Sequence, residues 1–361
     1  MFEASSDFVQ RKLFLLLDET VDMILRYLKF LFLAILLVAL FWATFNYKLV
    51  AYGWAQFKGQ WHIVYNARPL DKVLKDSQVS DSLKLKIQFI EKVSRYAQDS
   101  LGLKKSKNYT TLYDQHNKPL LWVLTASEKF QLKSYEWHFP VLGDVSYKGY
   151  FDYSIGVAED SIMKTKGFDT DYGEVSAWST LGWFKDPILS NMLKRSEGQL
   201  AELIIHEMTH ATVYVKSNVD FNENLASMIG EEGAIRFLTS TYGKDSDQLK
   251  EYIYRKEDYD RFAQHMIRAH HALDSLYKEI ASQPDSIKAI KKDEMIASIV
   301  ESLDTVNFHH ANRYSGLFEQ RKPNNAYFLN YIRYDSQKDK MKTDLFQLYG
   351  GNILRYLNSF K

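Results

Sequence analysis

Two histidines and a glutamate share one pentapeptide, His206-Glu207-Met208-Thr209-His210, within a run of apolar residues. On a helix, positions i and i+4 lie on the same face, so both imidazoles can face one ion. Glu207 follows His206 directly and lies one position further round the helix, where its carboxylate can reach a water bound to the ion. The spacing predicts a metal centre with Glu207 as general base. The alternative is a pair of hydrogen-bonded histidines in the core.

A catalytic zinc needs three protein ligands and one open position, so a third ligand must come from elsewhere. Glu223, thirteen residues after His210, is the candidate. Residues 201–214 predict a largely buried helix, and after a short polar loop Asp220 is expected to cap a second helix through 226–237. This antiparallel pair returns Glu223 to the histidine face. The chain has no cysteine, which leaves histidine and carboxylate as its strong metal ligands. We expect one Zn²⁺.

Several segments outside the pentapeptide resemble a bacterial family of predicted zinc aminopeptidases. The resemblance spans about residue 50 to the C-terminus and includes YKGYF from Tyr147, AWSTLGWFKDP from Ala177, HEMTHATVYVK, FNENLASMIGEEGAIRFL, Asn324-Asn325-Ala326 and Tyr334. The stretch from Asn222 to Ser227 is similar to the NExxA segment that supplies the third zinc ligand in gluzincins of the aminopeptidase N type, although its separation from HExxH is shorter here. Family members commonly carry a lipobox cysteine and a disulfide, which this chain lacks.

The resemblance implies an α+β, mainly helical, zincin-like metallopeptidase body with a small mixed sheet. In such a body an edge strand above the metal binds an extended substrate by strand addition. The segment expected there is Ser179-Thr180-Leu181-Gly182, within a strand predicted over 175–184. The alternative is an ordinary buried strand.

Supporting residues around the metal are also expected. Tyr334 fits the family's C-terminal pattern and is expected to stabilise the oxyanion, with Tyr242 as a second candidate. Asn222 and Glu232 are expected to support the ligands, with Glu232 accepting a hydrogen bond from a ligand histidine. Two alternatives for Glu232 are binding of a substrate amino group and a solvated helix face.

An apolar run near the N-terminus predicts one membrane span. Residues 30–45, FLFLAILLVALFWATF, contain no charge, and the flanking residues extend the run towards the roughly twenty that a spanning helix needs. Four basic residues precede the run, which places the N-terminus in the cytoplasm. We expect a cytoplasmic segment at 1–28, a transmembrane helix at 29–48 and a metallopeptidase domain at 49–361, divided into a sheet-containing part (49–195) and a helical metal-binding part (196–361). A cleaved signal peptide is the alternative, although the charged arm before the run is long and no small-x-small site follows.

The charge balance argues against nucleic-acid binding, because 46 basic and 45 acidic residues leave a net charge of +1 without a basic block. Together these features predict a single-pass protein of the inner membrane whose zinc peptidase domain, an aminopeptidase by resemblance, acts on peptides or proteins outside the cytoplasm. The alternatives are an envelope endopeptidase with the same chemistry and a non-catalytic metal-binding membrane protein.

Overall fold

The computed structural model describes residues 3–105, 108–139, 143–175, 185–216, 218–335 and 338–360. These residues are mainly helical and include three small sheets. The chain divides into two compact units, Met1–Gly59 and Gln60–Lys361.

The first unit contains helix α1 (Glu3–Phe45) and the start of helix α2 (Tyr47–Asn66). The part of α1 from Met23 to Phe45 contains no buried residue and is, by length and composition, long and apolar enough to cross a membrane. Most of the predicted span at 29–48 lies in this helix, which ends at Phe45.

The second unit contributes ten further helices among the described residues. They are α3 (Leu70–Lys75), α4 (Asp81–Asp99), α5 (Tyr153–Thr165), α6 (Glu197–Thr212), α7 (Val219–Tyr242), α8 (Asp247–Glu279), α9 (Asp285–Ser302), α10 (Asn325–Asp335), α11 (Lys338–Tyr349) and α12 (Ile353–Asn358). Serine caps begin three of them: Ser80 accepts a hydrogen bond from the amide of Leu83, Ser246 accepts one from the amide of Leu249, and Ser196 forms a capping box with Gln199. The helices predicted around 201–214 and 226–237 are confirmed as α6 and α7.

The strands form three separate small sheets rather than the one mixed sheet expected. They are β1 (Arg68–Pro69), β2 (Thr111–Tyr113), β3 (Trp122–Ser127), β4 (Trp137–Phe139), β5 (Gly143–Val145), β6 (Tyr147–Tyr150), β7 (Asp169–Glu174) and β8 (Ile188–Leu189). The order β1-β2-β8 combines antiparallel and parallel pairing, whereas β6-β3-β7 and β4-β5 are antiparallel. Of the strand predicted at 175–184, residues 176–184 lie outside the described residues.

The main hydrophobic core lies where α4, α6 and α7 meet. Buried residues on α4 include Ile87, Ile90 and Val93, which recur at helical spacing. Phe237 of α7 is buried and makes edge-to-face contacts with Phe89 and Tyr96 of α4, at ring distances of 5.5 and 5.3 Å. A second core joins α8, α9 and α10.

Small residues let α7 pack closely against α6. A Cβ added to Gly230 would lie 2.9 Å from the backbone oxygen of Glu202 and 3.2 Å from the Cβ of His206. Gly230 lies seven residues, about two helical turns, after Glu223, and therefore on the same face of α7. The close approach at Gly230 directs that face of α7 towards the histidines of α6.

Replacing Gly230 with alanine should destabilise the second unit, because the added methyl overlaps the backbone of α6. We expect a loss of about 1–3 kcal/mol in the free energy of unfolding. The matched control is Gly53→Ala in α2, where no atom lies within 4 Å of the added Cβ and the higher helix propensity of alanine should be neutral or favourable. Denaturant unfolding of the solubilised chain measures both. Equal stabilities of the two variants would contradict close packing at Gly230.

Candidate metal centre

Three side chains from α6 and α7 meet at one point. The Nε2 atoms of His206 and His210 are 3.1 Å apart, and the carboxylate oxygens of Glu223 lie 3.5 Å from the first and 3.6 Å from the second. Each side chain keeps about a fifth of its surface exposed, at 19, 22 and 23% respectively. Among the residues that the structure describes, this is the group of histidine and acidic side chains arranged to hold a metal ion.

The spacing of these atoms suits a small tetrahedral ion. Zinc ligands lie about 2.0–2.1 Å from the metal, which separates neighbouring ligand atoms by roughly 3.4 Å. The two Nε2 atoms are 3.1 Å apart, and each lies 3.5 or 3.6 Å from a different oxygen of Glu223, around that value. Two imidazole nitrogens and one carboxylate are also a donor set of catalytic zinc, with one position left for water. The residues present therefore fit a zinc ion.

A side-chain clamp holds the loop that brings Glu223 to the histidines. The amide of Asn222 accepts a hydrogen bond from the backbone nitrogen of Val215 and donates one to its carbonyl, both at 2.8 Å. Asn222 is buried, so both bonds are protected from water. Asn222 therefore holds the loop before α7, directly next to Glu223. The cap of α7 is Asn218, whose side chain accepts from Phe221, rather than Asp220.

Charges concentrate around the three side chains. Burial by itself would raise the pKa of Glu223, but hydrogen bonds with His206 and His210 lower it far below the usual range. Burial opposes a charge on His206, yet Glu223 and Glu207 raise its pKa above the ordinary value. Burial raises the pKa of Glu207 although both histidines act in the opposite direction. The carboxylate of Glu207 therefore lies in a poorly hydrated place, where its affinity for a proton is increased.

Tyr109 is a residue of this region that the sequence reasoning missed. Its side chain is 7% exposed, and its backbone has a φ of 59°, which is uncommon for a residue other than glycine. Its amide donates to the carbonyl of Asp186 at 2.7 Å. Burial, together with the negative charge of Glu207, raises the pKa of Tyr109 well above the ordinary value. The phenol is therefore neutral and able to donate a hydrogen bond.

The segment just before Tyr109 is hydrogen-bonded to α6. The amide of Lys104 donates to the hydroxyl of Thr212 at 2.9 Å, and that hydroxyl donates to the carbonyl of Met208 at 2.7 Å. No pattern in the sequence indicates this contact, because Lys104 and Thr212 are 108 residues apart.

A buried polar network begins one helical turn before His206 on α6. Glu202, one turn before His206, accepts a hydrogen bond from the hydroxyl of Tyr252 at 3.0 Å. Burial, followed by the charge of Glu231, raises the pKa of Glu202. Glu231 in turn lies 3.1 Å from the ammonium of Lys256 and 2.9 Å from that of Lys338. The two lysines thus balance the negative charge of the acidic side chains near the candidate ligands.

Other predicted site residues lie elsewhere or outside the description. Glu232 accepts from Arg236 at 2.8 Å and so has an ion-pair partner on its own helix instead of a ligand histidine. Tyr242 lies nineteen residues after Glu223, roughly 28 Å along α7, which is too far to reach an oxyanion. Tyr334 belongs to α10, but its side chain is not described. The predicted strand segment Ser179-Thr180-Leu181-Gly182 lies outside the described residues.

A comparison with known families bears on this arrangement. A family model described as "Putative aminopeptidase" matches residues 51–361. The chain belongs to this family. The match begins after the apolar helix and covers every residue of the metal centre, and it supports a peptidase function. No match was found among curated proteins or among solved structures.

Proposed function

We propose that the chain is a zinc-dependent aminopeptidase held at the inner membrane by its N-terminal helix. The observation that carries the proposal is the group of two Nε2 atoms and one carboxylate, spaced at 3.1–3.6 Å, with Glu207 between the two histidines in sequence. Family membership supports peptide-bond hydrolysis. His206, His210 and Glu223 are the proposed ligands.

The proposed mechanism assigns separate tasks to zinc and to the side chains. When bound, zinc lowers the pKa of a coordinated water and polarises the scissile carbonyl. Glu207 takes the proton of the attacking water and then gives it to the leaving amine, as general base and general acid. Its increased proton affinity suits this exchange, since a carboxylate that binds a proton too weakly accepts it poorly. Tyr109 donates a hydrogen bond to the oxygen on which negative charge develops.

Glutamine substitutions separate the base from the ligand. Glu207→Gln should retain zinc but lose about 10³–10⁴-fold in kcat, because an amide cannot accept the proton. Glu223→Gln removes a negative ligand, so zinc binding should weaken and activity should partly return when zinc is added. Glu232→Gln, the same change nine residues later in α7, is the matched control and should remain near the parent. Zinc content by elemental analysis and hydrolysis of peptides with free or acetylated N-termini measure these effects.

If the activity of Glu207→Gln stays within about tenfold of the parent, Glu207 is not the general base. Stoichiometric zinc in a His206→Ala variant would remove His206 from the ligands. Cleavage of acetylated peptides at internal bonds would replace the aminopeptidase with an endopeptidase while leaving the metal chemistry intact.

Tyrosine-to-phenylalanine variants identify the oxyanion donor. Tyr109→Phe should lower kcat by about 10²-fold or more, the usual loss for one oxyanion donor, with little change in KM or zinc content. Tyr242→Phe is the distant control and should match the parent, and Tyr334→Phe tests the candidate indicated by the family pattern. A Tyr109→Phe enzyme within about threefold of the parent would contradict the role of Tyr109.

The proposed location places the catalytic body outside the cytoplasm, because four basic residues precede the apolar run at residues 30–45, whereas only Lys48 and Lys58 follow it within twenty residues. A reporter enzyme active only in the periplasm should therefore function when fused after Lys58. The same junction fused to a reporter active only in the cytoplasm is the control and should be silent. The reverse pattern of reporter activity would invert the topology.

A further inference from the structure

Helix α2 has two different faces. One stripe of residues is partly or fully buried and consists of Tyr52, Ala55, Gln56, Gly59, Gln60, Ile63 and Val64. The opposite stripe is exposed and consists of Val50, Trp54, Phe57, Trp61 and Tyr65. Trp54 is 66% exposed, Trp61 55% and Tyr65 76%, and the rings of Trp54 and Phe57 stack at 5.6 Å.

This arrangement is the reverse of a helix in a water-soluble protein, where the larger apolar side chains face the core. Here two glutamines and a glycine lie on the buried stripe, and the outer stripe repeats a large apolar side chain every three or four residues over four turns. A contiguous exposed apolar surface of this kind marks a site of interaction with a protein or a membrane.

We propose that the outer face of α2, defined by Val50, Trp54, Phe57, Trp61 and Tyr65, lies in the lipid interface of the membrane. The proposal rests on the proposed membrane anchoring by α1. Only Asn46 separates the end of the candidate span at Phe45 from the start of α2 at Tyr47, so α2 starts at the membrane surface.

The composition of the outer face favours lipid over a protein partner. Tryptophan and tyrosine are enriched at the membrane–water interface, where an apolar ring with a polar group suits both environments. Lys48 and Lys58 also belong to α2, and amphipathic helices that lie on membranes carry basic residues that interact with anionic headgroups.

The length of the face determines how α2 must lie. Trp61 follows Phe45 by sixteen residues, roughly 24 Å of helix. Each interfacial layer of a bilayer is only roughly 5–8 Å thick. A helix continuing straight out of the membrane would place Trp61 and Tyr65 in water. All five side chains reach the interface together when α2 lies along the membrane surface.

Spin labels test this placement in the full-length protein. The chain has no cysteine, so single substitutions can be labelled without background. The positions are Trp54→Cys, Trp61→Cys and Tyr65→Cys on the outer face, Leu36→Cys in the apolar span and Leu85→Cys on α4, where Leu85 is 64% exposed. The protein is reconstituted in vesicles of phosphatidylcholine and phosphatidylglycerol, and collisions with oxygen and with a nickel chelate are measured by electron paramagnetic resonance.

The three outer-face labels should each have an oxygen-to-nickel accessibility ratio several-fold above that of Leu85→Cys and below that of Leu36→Cys. Circular dichroism melting curves that match the parent show that the labelled chains are folded. Water-like ratios at Trp61 and Tyr65, with Leu36 immersed, would overturn the interfacial placement alone. A water-like ratio at Leu36 would overturn the span and the interfacial placement together. Spin–spin broadening that disappears on dilution with unlabelled protein would assign the face to a second copy of the chain instead.

Discussion

The contact between α6 and α7 is the constraint on which the metal centre depends. Neither helix alone supplies a complete ligand set, because the two histidines are on α6 and Glu223 is on α7. Each imidazole nitrogen lies within 3.6 Å of a carboxylate oxygen of Glu223, which requires the two helix axes to be close, and Gly230 allows this because it has no side chain. The buried apolar residues of α4 pack in the same core as α6 and α7. This core thus stabilises the close packing of the two helices.

The close contact of α6 and α7 brings several acidic side chains together. Glu202 and Glu207 lie on α6, Glu223 and Glu231 lie on α7, and Glu231 is near Glu202. Buried carboxylates of like charge repel one another and lose hydration. Lysines compensate Glu231, and a tyrosine hydroxyl binds Glu202, but the remaining negative charge is directed towards the histidines. A divalent cation there would offset the repulsion, so the charge distribution and the donor geometry favour the same occupant.

The sequence predicts those features that depend on the regular spacing of neighbouring residues. Helices α4, α6 and α7 carry apolar residues at helical spacing, and the two histidines are one turn apart, so elements and ligands follow from neighbouring residues. Strand β7, DTDYGE, was missed because its polar residues have low strand propensity and it forms only through pairing with β3. Tyr109 and the partners of Glu231 depend on contacts between distant segments; Lys338 is 107 residues from Glu231. The ion pair of Glu232 with Arg236 is local, and its i,i+4 spacing on a predicted helix is a signal that could have identified it.

Two hydrogen bonds between Asn222 and Val215 connect the start of α7, where Glu223 lies, to the loop that precedes it. The residue next to Glu223 binds both backbone groups of Val215, so the loop and the first turn of α7 form one closed ring. An insertion between Val215 and Asn222 would enlarge the ring without breaking either bond. The two hydrogen bonds, and not the number of residues in the loop, therefore hold the first turn of α7 beside the end of α6.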